Sequence, residues 1–256
     1  MYKEILTRVK QGYCTIKFPK GAPPALPDRF RGRLIFDTKK CDPLCHICSE
    51  ICPVGAIDAK SKRLDLGKCL FCTDCFQACP EKAISFSKDY KLSVRNREDL
   101  IVTAEQKEIL LAEELSKKMK KLFGHSLKLR QISAGGCNAC EADVNVLGTI
   151  GWDLGRFGIK MVASPRHADG ILITGPVTKN MEIALKKAWD AIPEPKILIA
   201  VGSCAIAGGP YIDMEQVNNG VESSLPVDLF IPGCPPHPLT LLDGLLRLLG
   251  RLEKNQ

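Results

Sequence analysis

Between residues 41 and 80 the chain writes one cysteine pattern twice. CHICSEICPVGAI from Cys45 aligns with CTDCFQACPEKAI from Cys72, and Cys41 and Cys69 stand ahead of the two blocks. The copies are Cys41, Cys45, Cys48, Cys52, Pro53 and Cys69, Cys72, Cys75, Cys79, Pro80. Each ends in an apolar pair, Ala56 with Ile57 or Ala83 with Ile84. Cysteines two residues apart rarely bridge one another, so metal ligation accounts for them better than disulfides. Thiolates in fours suit zinc or an iron-sulfur cluster. Zinc sites use two well-separated C-x-x-C pairs. Here three closely spaced cysteines are followed by a more distant fourth with a proline behind it, the spacing of a cube-binding run. Structural zinc is the alternative.

The rest of the composition fits an intracellular protein. The 256 residues hold thirteen cysteines in tight clusters, too few for a disulfide scaffold, and the 45% apolar content suffices for a core. MYKEILTRVKQGY has no signal-peptide core, and no window of about eighteen apolar residues appears, so a reducing cytosol is expected. The formal charge of +7 accompanies only 6% aromatic residues and no nucleic-acid motif. The excess is taken as a docking or solubility feature, and no nucleic-acid partner is expected.

After residue 86 the charged stretch KDYKLSVRNREDL is expected to be a linker into a helix, TAEQKEILLAEELSKKMKKLFG. Thr103 with Gln106 forms a capping-box pattern, Leu111, Leu115, Met119 and Leu122 share a face, and Gly124 offers a stop. Lys117, Lys118, Lys120 and Lys121 are its solvated face, with a membrane-surface role as the alternative. From about residue 126, SLKLRQIS, IKMVA, GILITG, KILIAVG and VDLFIPG alternate with helical patterns such as NMEIALKKAWDAI, which predicts a parallel sheet covered by helices. HPLTLLDGLLRLLGRLEK has too wide an apolar stripe to lie in water alone.

Four more cysteines follow these strands. GGCNAC follows the first strand, GSC follows KILIAVG and PGCPP follows VDLFIPG, so Cys137, Cys140, Cys204 and Cys234 converge at the carboxyl edge of the sheet. Gly135, Gly136, Gly202 and Gly233 precede them and let backbone approach a bulky group. The alternative is a C-x-x-C redox dithiol with two unrelated core cysteines. Cys14 lies outside every run and is expected to be a small buried or free thiol; His46 is expected to be a bystander.

Residues 41 to 86 resemble two-cluster [4Fe-4S] ferredoxin domains, and LPDRFRGRLIFD resembles the approach segment of the ferredoxin subunits of complex I and formate hydrogenlyase. In that arrangement the fourth cysteine of each run crosses to the other cube. One set is then Cys41, Cys45, Cys48 and Cys79, and the other Cys69, Cys72, Cys75 and Cys52. The extra residue between Cys41 and Cys45 departs from the usual spacing.

GGCNACE, SPRHADGILITGPVT, VGSCAIAGG and IPGCPPHP, within residues 127 to 250, are similar to the small subunit of [NiFe] hydrogenases related to complex I. That resemblance implies a flavodoxin-like domain holding one proximal [4Fe-4S] cluster on Cys137, Cys140, Cys204 and Cys234, against a large subunit with a nickel-iron site. The C-N-A-C spacing is hydrogenase-like, whereas complex I homologues usually have adjacent cysteines there. Pro165, Arg166, His167 and Asp169 match the family's loop after the second strand. Arg166 and His167 can supply charge or hydrogen bonds beside the cluster and Glu141 can help pass protons. An ordinary ion pair or cap accounts for each as well.

Together these imply an α/β flavodoxin-like parallel sheet domain preceded by a small α+β two-[4Fe-4S] ferredoxin-like domain. The expected divisions are 1–95, a linker and helix over 96–125, and 126–256. Three [4Fe-4S] clusters would relay single electrons from a donor, either an iron-sulfur subunit of formate or carbon monoxide dehydrogenase or a ferredoxin, to the nickel-iron site of a hydrogenase large subunit. The alternative is a complex-I-like subunit serving a quinone or sulfur acceptor. No residue of the chain is expected to be catalytic. Membrane subunits would hold it peripherally on the cytoplasmic face.

Overall fold

A computed structural model describes residues 2–12, 14–103, 109–123 and 126–252 of the protein. A leading helix, α1 (Tyr2–Gln11), buries none of its residues. Strand β1 (Leu34–Phe36) then precedes the first cysteine run. Each copy of the run folds into a short helix and then a strand: α2 (Ile47–Glu50) and β2 (Ile57–Asp58) in the first, α3 (Asp74–Ala78) and β4 (Ile84–Phe86) in the second, with β3 (Arg63–Asp65) between. β1 pairs antiparallel with β4, and β2, β3 and β5 (Ile101–Thr103) form a second antiparallel sheet. The apolar pair closing each copy is buried, so both copies contribute to one core beneath the cysteines.

The helix expected from Thr103 is a correction. Thr103 ends β5, where its neighbour Val102 pairs with Leu64, and residues 109–116 are not helical. Among the described residues of that stretch a helix forms only at α4 (Lys117–Phe123). The reason is tertiary: the Ala112 N–H donates to the Ser93 carbonyl at 2.8 Å and the Leu115 N–H to the Leu248 carbonyl at 2.9 Å. Those donors are taken up between chain segments, which outweighs local helix propensity. The expected apolar face divides accordingly: Leu115 is buried and Leu122 exposed. Gln106 and Gly124 lie outside the described residues. Lys120 pairs with Glu114 at 2.6 Å.

The remaining residues form a five-stranded parallel sheet of β6 (Leu127–Ser133), β7 (Ile159–Met161), β8 (Gly170–Thr174), β9 (Ile197–Val201) and β10 (Leu229–Ile231), in the order β10-β9-β8-β6-β7. Numbered within the sheet this is the flavodoxin-like order 2-1-3-4-5. Helices α5 (Ala139–Val146), α6 (Lys179–Asp190), α7 (Gly202–Ala207) and α8 (Pro238–Leu248) follow strands. β8 and β9 are buried at every residue, as expected of parallel strands covered on both faces.

Alternation along those strands divides the core in two. Ile171, Ile173, Leu198 and Ala200 join a cluster with Leu66, Leu100 and Val94 of the N-terminal half. Leu172, Ile197, Ile199 and Val201 join the leucines of α8. Every residue of α8 is buried, which meets the expectation from its wide apolar stripe. The halves are also joined by backbone, since Val94 and Phe230 exchange hydrogen bonds of 3.1 and 2.9 Å, and the Arg95 Nε donates to the Asp228 carbonyl at 3.1 Å. This packing brings the second cysteine run to the binding edge of the parallel sheet.

Candidate functional site

The cysteines of the N-terminal half fall into two groups that exchange their last members. Cys41, Cys45 and Cys79 line a cavity of about 420 Å³ with His46, Ile47, Glu50 and Pro80. Cys48 is buried beside Cys41 and Cys45; burial, and then their charges, push its pKa up. Cys52, Cys69, Cys72 and Cys75 line a second, small cavity with Pro53, Leu70 and Phe86. Burial raises Cys69 and Cys75 to about 12, reinforced by neighbours that include Cys52 and Cys72. Cys52 thus sits with the second run and Cys79 with the first.

Local backbone explains the cradle. The N–H four residues past each crossing cysteine returns to its sulfur, Ala56 to Cys52 at 3.2 Å and Ala83 to Cys79 at 3.3 Å. The Phe71 N–H donates to Cys69 Sγ at 3.3 Å. Lys62, in the turn between β2 and β3, donates its ammonium to Cys41 Sγ at 2.9 Å.

The third group stands past the carboxyl ends of β6, β9 and β10. Burial comes first in raising Cys140 far above the ordinary thiol range and Cys204 to about 12, and Cys234 and Cys137 add to both. The close approach needs glycine. A Cβ on Gly202, whose φ is +85°, would lie 2.5 Å from Cys140 Sγ, and one on Gly209, at φ +56°, would lie 2.6 Å from Cys204 Sγ. Ser203 Oγ and the Ser203 N–H both donate to the Gly233 carbonyl, tying the Cys204 loop to the Cys234 loop.

These groups test what the sites can hold. Buried thiols that raise one another's pKa stay protonated unless a strong positive charge sits among them, and soft iron supplies that charge. Among the described residues no three His, Cys, Asp or Glu side chains converge closely enough to hold a single metal ion. A cube offers a separate iron to each thiolate and so suits sulfurs that are grouped but apart.

The other candidates separate. Glu141 is buried, and its carboxylate accepts from Thr174 Oγ1 at 2.6 Å, so it is no surface ion pair. Arg166 and His167 are exposed on the turn between β7 and β8. The Asp169 carboxylate accepts from the Lys128 N–H at 2.7 Å. Cys14 is exposed, which removes the buried alternative for it.

Sequence reasoning missed the residues between the second and third groups. A cavity of about 410 Å³ there is lined by Cys72 and Cys234 together with Phe71, Arg31, Asp143 and His237. Arg31 donates to the Phe71 carbonyl, and the charge of Cys72 reaches Cys234. Nothing in the motifs signalled Lys62 or Asp143, and LPDRFRGRLIFD, which contains Arg31, gave no role to that side chain.

A flavodoxin-like parallel sheet with cysteines gathered at its carboxyl edge defines an iron-sulfur protein of the α/β class. Residues 137–248 match the family of the 20 kDa subunit of NADH ubiquinone oxidoreductase, and the chain belongs to that family, whose members carry [4Fe-4S] clusters. It is 43% identical over 140 residues to formate hydrogenlyase subunit 7 of Escherichia coli, across 55% of this chain and 53% of that protein. The chain therefore spans about half the length of that relative. It is 39% identical over 134 residues to the probable membrane-bound hydrogenase subunit mbhJ of Pyrococcus furiosus (52% and 80% covered). With an NADH-quinone oxidoreductase subunit of Clostridium beijerinckii it shares 45% identity over 118 residues (46% and 70% covered). No helix among the described residues is long and apolar enough to cross a membrane.

Proposed function

We propose that this chain is a non-catalytic electron-transfer subunit that relays single electrons between a donor and the nickel-iron site of a hydrogenase large subunit. Residues 1–95 form a ferredoxin-like domain holding two [4Fe-4S] clusters, on Cys41, Cys45, Cys48 and Cys79 and on Cys52, Cys69, Cys72 and Cys75. Residues 126–256 hold the proximal cluster on Cys137, Cys140, Cys204 and Cys234, and residues 96–125 connect the two. The clusters supply one-electron chemistry when bound; the protein holds them at fixed separations, buries them and tunes them.

One observation carries this proposal: the three cysteine groups are contiguous. Cys48 of the first group and Cys75 of the second are buried in one core, and Cys72 of the second lines one cavity with Cys234 of the third. A series of adjoining soft-ligand sites is what a one-electron relay needs. Cys137 and Cys234 are exposed, leaving the last site open to a partner large subunit. The donor is an iron-sulfur subunit of formate or carbon monoxide dehydrogenase, or a ferredoxin. Partner membrane subunits hold the chain peripherally on the cytoplasmic face.

The similarity to the Clostridium beijerinckii NADH-quinone oxidoreductase subunit supports a second reading, delivery to a quinone or sulfur acceptor. The Cys137-x-x-Cys140 spacing favours the hydrogenase. Two experiments test the pair. Cys204→Ser should remove one cluster signal from the paramagnetic resonance spectrum of the reduced chain and leave the N-terminal two; three unchanged signals would contradict the assignment. A complex purified through this chain should contain nickel and evolve hydrogen from a low-potential donor. If it contains no nickel, the quinone or sulfur reading takes its place.

A further inference from the structure

Resting on the cluster assignment above, we propose that Lys62 sets the order in which the two N-terminal cubes fill, holding the cube on Cys41, Cys45, Cys48 and Cys79 at the higher reduction potential. Both cubes receive one equivalent backbone bond, from Ala83 to Cys79 and from Ala56 to Cys52. Those contributions cancel in the comparison. Neutral backbone donors also reach Cys48 in the first cube and Cys72 and Cys75 in the second, so the one charged donor to a ligand sulfur among the described residues, at the leading cysteine of the first run, sets the cubes apart. Cys41 faces a full ammonium at 2.9 Å, whereas Cys69 faces the neutral N–H of Phe71 at 3.3 Å.

The charge of Lys62 is directed at the sulfur rather than at a carboxylate. Among the described residues no carboxylate forms an ion pair with it, its side chain is half-buried, and the ammonium lies 5.8 Å from the centre of the Phe36 ring. Reduction adds a negative charge to a cube, so a cation held against one ligand favours the reduced form. Burial acts in the same direction. At the leading cysteines the difference is plain: Cys69 is buried and Cys41 only half-buried, although Cys72 of the second cube is exposed, and water exclusion at Cys69 disfavours the extra charge.

Other charges do not reverse the order. Asp42, Glu50 and Glu81 line the first cavity but are exposed, where solvent and salt screen them. On the second side, Asp74 is exposed and screened in the same way, and the Arg31 guanidinium donates to a carbonyl rather than to a sulfur. Electrons arriving singly therefore rest first on the cube of Cys41, Cys45, Cys48 and Cys79.

The test is a potentiometric titration of the full, cluster-loaded chain followed by electron paramagnetic resonance. In the wild type the two N-terminal cubes should reduce in separate steps; coincident midpoints would overturn the inference without any variant. Lys62→Gln should lower the first of those midpoints by about 59 mV or more, a tenfold change in a one-electron equilibrium. The second and the proximal midpoints should stay in place. Lys62→Arg should restore the wild-type order, which a packing role alone would not predict. The signal lost in Cys45→Ala identifies the cube concerned. An unmoved midpoint in a fully loaded Lys62→Gln chain, or a shift in the other cube, refutes the role of Lys62. Absence of cube signals from the wild type would instead defeat the cluster assignment.

Discussion

A single methyl group at Gly202 should empty the third site while sparing the other two. The residue opens α7 directly after β9 with φ +85°, and an added Cβ would sit 2.5 Å from Cys140 Sγ and 3.4 Å from the Gly233 carbonyl oxygen. Non-bonded heavy atoms rest about 3.5–4.0 Å apart, so the sulfur would have to withdraw by roughly 1 Å or more. The backbone cannot yield instead, because the Ser203 N–H is fixed to the Gly233 carbonyl at 2.9 Å. The left-handed conformation adds about 1–2 kcal/mol against any side chain. Metal-sulfur bonds tolerate errors of about 0.2 Å, so a retreat of about 1 Å takes Cys140 out of range. Iron and acid-labile sulfide in anaerobically prepared Gly202→Ala should fall by about one third, with one resonance signal lost and the N-terminal pair retained. Gly209→Ala should behave alike, because its Cβ meets Cys204 Sγ. Gly151→Ala is the control, since nothing lies within 4 Å of the added atom. Full iron and an unchanged proximal signal in Gly202→Ala would refute the close approach from which the site was built.

Three further outcomes follow from the packing. Asp243→Ala strands the buried Arg247, now bound through Nε at 2.8 Å, and should cost about 3–5 kcal/mol in denaturant unfolding; Asp243→Met with Arg247→Leu should recover most of it. His237 caps α8 by accepting the Leu239 N–H on Nδ1, and burial holds its pKa below the ordinary 6.5. The unfolded chain therefore binds the proton first, so stability should fall as pH drops from about 6.5 through the lowered folded value, and His237→Gln should remove that slope in melts run across pH. Deleting Tyr2–Gln11 should leave iron content and Tm unchanged, because no residue of α1 is buried; a fall of several degrees in Tm would show that the helix contributes to the core.

The parallel sheet was legible because each strand is a short apolar run bounded by turn residues, and Cys137, Cys204 and Cys234 could be placed because each follows such a run. The closeness of the cysteines within each run was legible for a different reason, whereas the exchange of Cys52 and Cys79 between the runs came from the resemblance to two-cluster ferredoxin domains. Within a run, the few residues between one sulfur and the next fix where it can lie, so spacing carries geometry. Of the helix expected over 103–124, the described residues 109–116 are not helical while Lys117–Phe123 are, because spacing carries no information about a competing partner: Ala112 and Leu115 give their N–H groups to Ser93 and Leu248. Lys62 was invisible on the same grounds. It belongs to a hairpin turn between the two copies, and only the fold of β2 against β3 turns it toward Cys41.

The junction between Cys72 and Cys234 joins both lessons. Each cysteine is marked by its own motif, yet their proximity depends on residues that carry no motif. Val94 pairs with Phe230, just ahead of Cys234, and the Arg95 Nε donates to the carbonyl of Asp228. Leu66 and Leu100, on either side of the second cysteine run, share a core with Ile206 of the helix that carries Cys204. The N-terminal half is therefore attached to two of the three segments that carry the third group of ligands, those of Cys204 and Cys234. Attachment at that place holds the gap between the second and third groups to the dimensions of side-chain packing, whereas a flexible tether would let it vary. A relay made of two separately recognisable modules thus depends, at its one inter-module step, on the apolar residues that the cysteine motifs leave unmarked.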